Sequence, residues 1–260
     1  MSSHPHPLDH FRLDGRIVLV TGASSGLGMH FAQLLAGVGA RVALAARRVD
    51  KLQTVVDAIT QAGGQARALA LDVTDAASVR QCFDALASWG APHVLVNNAG
   101  VTVTRALLEQ TEADFDSVLA TNLKGNWLMA TEAARRMVAA GQGGSIVNVA
   151  SILGERVAGG VAPYAISKAG VIQASKAMAL ELARHRIRVN ALLPGYVVTD
   201  LNRDFLHSEA GEKLRARIPS RRFGEMTDLD GPLLLLASDA GAAMSGAAIA
   251  VDGAHLVSSL

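Results

Sequence analysis

The sequence holds little of what several common protein classes require. It has one cysteine, Cys82, so no internal disulfide and no multi-thiolate zinc site can form. A lone thiol fits a reducing compartment. Aromatic residues make up 4% of the chain, too few for platforms that stack single-stranded bases. Neither sign of charge dominates: 24 Lys and Arg stand against 23 Asp and Glu, a net +1. No basic field therefore marks a nucleic-acid partner. No apolar run approaches the roughly 18–20 residues of a membrane helix, so no membrane partner is expected. The run Leu233–Ala237 is short and sits in a helical context. The N-terminus, Met1 to His10, reads MSSHPHPLDH and lacks the apolar core of a secretory signal. A cytoplasmic protein is the expectation. His4, His6 and His10 read either as weak metal ligands or as part of a frayed polar tail, and no metal site is expected.

What is present points to a packed domain. Half of the 260 residues are hydrophobic and 18% are charged, which excludes intrinsic disorder. Short aliphatic runs recur at Arg16–Thr21, Arg41–Ala46, Arg67–Leu71, His93–Asn97, Ser145–Ala150, Ile187–Leu192 and Ala248–Val251. Most are nearly continuous rather than alternating, as strands buried on both faces of a parallel sheet are. Amphipathic stretches of helical length lie between them, among them Met29–Gly37, Lys51–Ala62, Ala76–Ser88, Glu112–Ala139 and Tyr164–His185. The alternation predicts an α/β fold: a doubly wound parallel sheet of about seven strands with helices on both faces. No linker rich in Pro, Ser or Gly divides the chain. The expected organisation is a flexible tail over 1–12 and a single domain over 13–260. The polar segment 200–224 interrupts the rhythm between the sixth and seventh strands. It reads as a lid over the carboxyl ends of the strands or as plain surface helices.

The first strand runs into Thr21-Gly22-Ala23-Ser24-Ser25-Gly26-Leu27-Gly28. Gly22 permits a sharp turn, Gly26 lets backbone approach a pyrophosphate, and Gly28 lets helix and sheet pack closely. The helix N-terminus then faces the negative charge. An ordinary turn without a ligand is the bland alternative. The second strand ends Ala45-Ala46-Arg47-Arg48. An acidic residue there would hold a ribose diol; Ala46 instead leaves room for a phosphate, and Arg47 can pair with it. That favours NADP(H) over NAD(H). Arg48 either assists or faces solvent. Asp72, after the third strand, either accepts from the adenine amino group or caps a turn. Asn97-Asn98-Ala99-Gly100 closes the fourth strand with small residues and amides suited to a backbone running beside a ribose.

Tyr164 and Lys168 stand four apart and share a helix face. A nearby ammonium favours the phenolate and would lower the tyrosine pKa from about 10. Ser151 lies at the end of the fifth strand, where a hydroxyl can hold a carbonyl oxygen beside Tyr164. Asn122 falls in mid-helix, an unfavourable place for an amide unless it holds a bend or a water.

Taken together and in this order, these motifs resemble the short-chain dehydrogenase/reductase family, over about Leu13 to Ala254. They are TGASSGLG at Thr21–Gly28, NNAG at Asn97–Gly100, Asn122, Ser151, YAISK at Tyr164–Lys168, and Pro194-Gly195 with Thr199. The resemblance implies a Rossmann fold and direct hydride transfer. It makes Tyr164 the general acid/base, Lys168 its modulator and a ribose ligand, and Ser151 the residue that polarises the carbonyl. Asn122 would hold a water linking Lys168 to solvent. Cofactor contacts are expected from Gly22, Ser24, Ser25, Gly26, Leu27 and Gly28, then Arg47, Arg48, Asp72 and Val73. Asn98, Ala99, Gly100, Tyr164 and Lys168 follow, and Pro194, Gly195, Val197 and Thr199 complete the set.

Ser151, Leu153, Tyr164 and Tyr196 are the expected substrate residues. With Ile152 and Val157 they form a wall that leans apolar. The substrate is a small carbonyl or alcohol: a 3-oxoacyl thioester or simple ketone, or else a sugar or polyol, with NAD(H) possible in the second case. Gly141-Gln142-Gly143-Gly144 lacks the basic residue that carrier-protein reductases tend to show before the fifth strand. A non-catalytic NADP-binding sensor is a further alternative, disfavoured because Ser151, Tyr164, Lys168 and Asn122 are all present. Family resemblance also implies a homotetramer.

Overall fold

The computed structural model describes residues 6–199 and 202–258. Seven parallel strands form one sheet in the order β3-β2-β1-β4-β5-β6-β7. They are β1 Ile17–Thr21, β2 Arg41–Ala46, β3 Gln65–Ala70, β4 Val94–Asn97, β5 Gly144–Val149, β6 Ile187–Pro194 and β7 Ala248–Val251. The chain winds outward from β1 to β3, then crosses back to place β4 on the other side of β1. That reversal opens a crevice beyond the carboxyl ends of β1 and β4.

Continuous apolar strands serve two cores. Val18 and Val20 of β1 join one cluster, while Ile17 and Leu19 join the cluster on the opposite face. Against the first face pack α1 (Gly26–Gly37), α2 (Val49–Gln61) and, from later in the chain, Leu233 and Leu236. α1 buries Phe31, Ala32, Leu35 and Ala36, a spacing of one, three and one that makes a single helical stripe. α2 repeats the device with Leu52, Val55, Val56 and Ile59. The second face is covered by α3 (Ala76–Leu86), which buries Val79, Cys82, Phe83 and Leu86, and by the helices that follow β4.

Glu112–Ala139, expected as one helix, is three elements. α4 (Glu112–Leu119) starts on a reciprocal cap between Thr111 and Asp114. A widened π turn follows over Ala120–Gly125, then α5 (Asn126–Ala139). The cause is Asn122. Its carboxamide leaves the helix surface to pair with the backbone of Val101, accepting from N–H at 2.8 Å and donating to C=O at 2.9 Å. Gly125 completes the turn against Val73, whose Cγ2 would lie 2.8 Å from a Cβ there.

α6 (Ala162–Leu182) opens with Pro163 in its first turn and runs antiparallel to the strands, burying Val171, Ile172, Ser175 and Ala179. After β6, Val197 bridges to Gly224, so the intervening segment leaves and rejoins at one point. Within it stand α7 (Arg203–Leu206) and α8 (Glu209–Arg215), pinned by buried Leu206 and Ile218. Asp200 and Leu201, the first residues of the expected lid, lie outside the described residues. α9 (Asp230–Ala237) returns the chain to β7.

Of the expected N-terminal tail, Pro7–Phe11 form a short 3-10 turn against Asp239–Gly241. His4 lies outside the described residues. Among the described residues no helix is long and apolar enough to cross a membrane, and no metal-ligating cluster of three or more side chains gathers.

Candidate active site

A cleft of about 380 Å³ occupies the crevice, walled by the first βα turn, the ends of β2, β3 and β4, and Thr199. The turn is built for close approach. Gly22 has φ +64°, and a Cβ there would sit 2.9 Å from the Ala99 Cα. At Gly28 an added Cβ would meet the Gly22 carbonyl oxygen at 2.3 Å and Asn98 Nδ2 at 2.5 Å. Thr21 explains why β1 and β4 end together: its buried hydroxyl accepts from the Asn98 and Ala99 N–H groups, each at 3.0 Å. The Asn98 carboxamide is committed to the same turn, donating to the Thr21 and Gly22 carbonyls.

The expected nucleotide residues Gly22, Ser24, Ser25, Gly26, Leu27, Arg47, Arg48, Asp72, Val73, Asn98, Ala99, Gly100 and Thr199 all line this cleft. Arg47 and Arg48 are exposed at its rim, and Arg47 makes no hydrogen bond or ion pair among the described residues. Asp72 holds a turn through one oxygen, which accepts from the Thr74 hydroxyl and N–H. Those bonds, with a contribution from Arg47, keep its carboxyl below the ordinary range. Gly28 and Pro194-Gly195 stand behind the lining rather than in it. Gly195 lets β6 pass β7, since a Cβ there would meet the Asp252 Cβ at 2.7 Å. Val197 packs into the core beneath.

Next to Gly100, outside the lining of that cleft, the chemistry-bearing side chains meet. Ser151 caps the turn after β5, its Oγ accepting from the Leu153 N–H at 3.1 Å. Tyr164 and Lys168 rise from the first turns of α6, with Lys168 Nζ 5.5 Å from the Tyr164 ring centre. Nζ donates to the Val149 carbonyl at 2.7 Å; its other two N–H bonds have no partner among the described residues. Asn122 donates to Ser167 Oγ at 3.0 Å, and Ser167 Oγ donates to the Tyr164 carbonyl. A Cβ at Gly100 would lie 3.4 Å from Asn122 Oδ1 and 3.7 Å from Lys168 Nζ, so this glycine keeps both in reach of the cleft.

Burial governs the protons here. It pushes the Tyr164 phenol up; a hydrogen bond with Ser151 opposes this and the Tyr196 phenol adds to it. It pushes the Lys168 ammonium down, from an ordinary 10.5 to about 8. The expectation that Lys168 lowers the Tyr164 pKa is thus not the balance found in the chain by itself: both groups are driven toward their neutral forms.

A family model described as Enoyl-(Acyl carrier protein) reductase matches residues 22–254. The chain is a short-chain dehydrogenase/reductase. It is 38% identical over 248 residues to a D-threitol dehydrogenase of Mycolicibacterium smegmatis, covering 95% of each chain. It is 36% identical over 247 residues to a 3-oxoacyl-acyl-carrier-protein reductase of Thermotoga maritima, covering 95% of this chain and all of that one. The crystal structure of a gluconate 5-dehydrogenase from Burkholderia cenocepacia, in complex with NADP and tartrate, superposes with a TM-score of 0.94 at 35% identity, covering 98% of this chain and 100% of that one. Membership makes this short-chain dehydrogenase/reductase an oxidoreductase of alcohol and carbonyl groups.

The substrate side departs from the apolar wall expected. Ile152 is 1% exposed and packs in the core with Val171 and Ile172, while Val157 is 84% exposed. Leu153 is half-buried beside Ser151. The Tyr196 phenol is close enough to Tyr164 to influence its proton, and its ring neighbour is His255, 5.8 Å away. His255 and its anchor Arg156 were not singled out in the sequence. No spacing signal links them, because 99 positions separate the two.

Proposed function

We propose that the protein interconverts a hydroxylated ketone and its secondary alcohol with NADP(H). One observation carries the reading. The cleft has at its rim a guanidinium, Arg47, with no ion pair among the described residues, and its lining residue Gly100 adjoins Lys168, which stands with Tyr164 and Ser151. The residues fit a dinucleotide: the Gly22 turn leaves no room for a side chain, and two buried N–H bonds of Lys168 await acceptors such as ribose hydroxyls. Arg47 would take a 2′-phosphate, and NADP accompanies the solved gluconate 5-dehydrogenase. Bound there, the cofactor supplies or accepts the hydride.

The protein's own residues handle the oxygen. Ser151 Oγ donates to the carbonyl oxygen and fixes it beside the Tyr164 hydroxyl. In reduction Tyr164 gives that oxygen its proton; in oxidation it takes the proton back. An ammonium held close to a phenol stabilises the phenolate that remains after proton transfer, so Lys168 works on the product state. Asn122 holds Val101 and, through Ser167, the first turn of α6, which keeps Tyr164 in register with Ser151.

Tyr196, His255 and Arg156 form a polar group next to Tyr164, which favours a hydroxylated substrate; 3-oxoacyl thioesters, the substrates named for the Thermotoga relative, form the second reading. A homotetramer belongs to the proposal. An apolar groove on the outer side of α4 to α6, lined by Leu119, Leu123, Trp127 and Ala174, is available for a two-fold contact. The segment 202–224 acts as the lid. Tyr164→Phe tests the chemistry: NADPH binding should persist while turnover falls by about a thousandfold or more. Undiminished turnover would remove Tyr164 from its role.

A further inference from the structure

The turns that follow β5, β6 and β7 converge beyond Tyr164, and two groups there lack partners. Arg156 stands two residues after the Ser151-capped turn, held by its N–H to the Ile152 carbonyl at 2.8 Å. Its Nη1 donates to the His255 carbonyl and to Ser258 Oγ. Nε and Nη2 have no hydrogen bond, and no carboxylate pairs with Arg156 among the described residues. His255 is 4% exposed and lies against the Tyr196 ring. Its Nδ1 is buried without a hydrogen-bond partner. Asp252, the carboxylate nearest in sequence, is engaged elsewhere: its oxygens accept from the Ala254 and Leu256 N–H groups, shaping the turn that carries His255. Buried polar groups are almost always paired, so the orphaned His255 Nδ1 calls for a ligand, and the half-buried Arg156, with no counterion among the described residues, stands beside it to supply charge.

We propose that Arg156 and His255 form a distal recognition site of the substrate pocket, taking the carboxylate and a neighbouring hydroxyl of a polyhydroxylated acid. The inference rests on the hydroxylated-substrate reading above and narrows it to sugar acids. The free edge of the guanidinium, Nε with Nη2, matches a carboxylate in two parallel bonds. Burial, Arg156 and Arg217 together push the His255 imidazole down, against Asp252. The ring is therefore neutral near pH 7, with one N–H and one lone pair, and a substrate hydroxyl satisfies either form of Nδ1.

The test compares ligands of equal carbon number that differ in charge, using the full chain with NADP+. Oxidation of gluconate is set against oxidation of sorbitol. Tartrate is set against threitol as an inhibitor competitive with the alcohol substrate. The acid should be preferred in both pairs, by about ten-fold in KM or Ki. Arg156→Gln should raise KM for gluconate about ten-fold more than for sorbitol. His255→Phe, which keeps a ring against Tyr196, should raise both. Equal use of acid and neutral ligand by the wild type overturns the proposal. So does an Arg156→Gln effect that is the same for both, since that reduces Arg156 to an anchor for the chain end. Should Arg156→Gln not fold, the wild-type tartrate-to-threitol ratio decides alone. Turnover of 3-oxoacyl thioesters with no response to either acid removes the site but leaves the oxidoreductase. Absence of any NADP(H)-linked turnover removes both.

Discussion

Replacing Lys168 by Met should leave the cofactor-free fold as stable as before, or more so, while abolishing activity. The side chain is 4% exposed and its ammonium is paired with no carboxylate among the described residues. Burial moves its pKa from 10.5 to about 8. That difference, roughly 2.5 units at about 1.4 kcal/mol each, means the charged lysine costs the fold about 3 kcal/mol at neutral pH. Against this, Met cannot donate to the Val149 carbonyl, which Nζ reaches at 2.7 Å. Leaving that buried acceptor unpaired costs about 1–3 kcal/mol. The variant should therefore match the wild type near pH 7 or exceed it by up to about 2 kcal/mol.

The pH dependence carries the sharper signature. Between about pH 8 and pH 10.5 the unfolded chain holds a proton on this lysine that the folded chain has released, so wild-type stability rises with pH there. Below about pH 8 both states hold it and the difference is flat. Urea unfolding at about pH 7 and about pH 9.5, followed by tryptophan fluorescence at one protein concentration, measures both. The wild type should gain on the variant by about 2 kcal/mol between the two pH values. A variant more than about 2 kcal/mol weaker at pH 7, with a gap that does not move with pH, would refute the argument that burial strains this charge.

Arg47→Ala should raise KM for NADPH about ten-fold and leave KM for NADH within about two-fold, because one charge-assisted bond is lost at an exposed rim. Equal effects on the two cofactors would dismiss the phosphate contact. Thr21→Val should lower stability by about 2–4 kcal/mol in urea unfolding, since two buried N–H groups lose their acceptor, whereas Thr21→Ser should not. A Val variant within about 1 kcal/mol of wild type would contradict it. Gly28→Ala places a Cβ 2.3 Å from a backbone oxygen, so the turn must open. NADPH titration by fluorescence should show at least about ten-fold weaker binding, and unchanged affinity would mean the turn has slack.

The architecture was legible because parallel strands are buried on both faces. Val18 and Leu19 must each be apolar for a different core, so β1 reads as an unbroken run. The strand ends fall within two residues of expectation for the same reason. The glycine turn, Arg47, Ser151, Tyr164 and Lys168 were legible because each lies at a fixed offset from a strand or helix end. Asn122 was half legible. Its place in mid-helix predicted a bend, but the bend exists because of Val101, 21 residues earlier, and periodicity carries no record of that partner.

What the sequence conceals is environment. Spacing places Lys168 one turn from Tyr164 and says that an ammonium favours a phenolate. It does not say how little water reaches either group, and burial outweighs proximity until something anionic or polar joins them. Ile152 shows the same limit at smaller scale: a residue beside Ser151 faces the core because the 3-10 turn after Ser151 rotates it inward. The pairing of Arg156 with His255 lies further still from any motif, since the two meet only after β7 has been laid down next to β6. Position along a strand end thus encodes the reaction, whereas the contacts between separate strand ends encode what is reacted. That division explains how relatives sharing 36–38% identity with this chain can be named for a tetritol and for an acyl thioester.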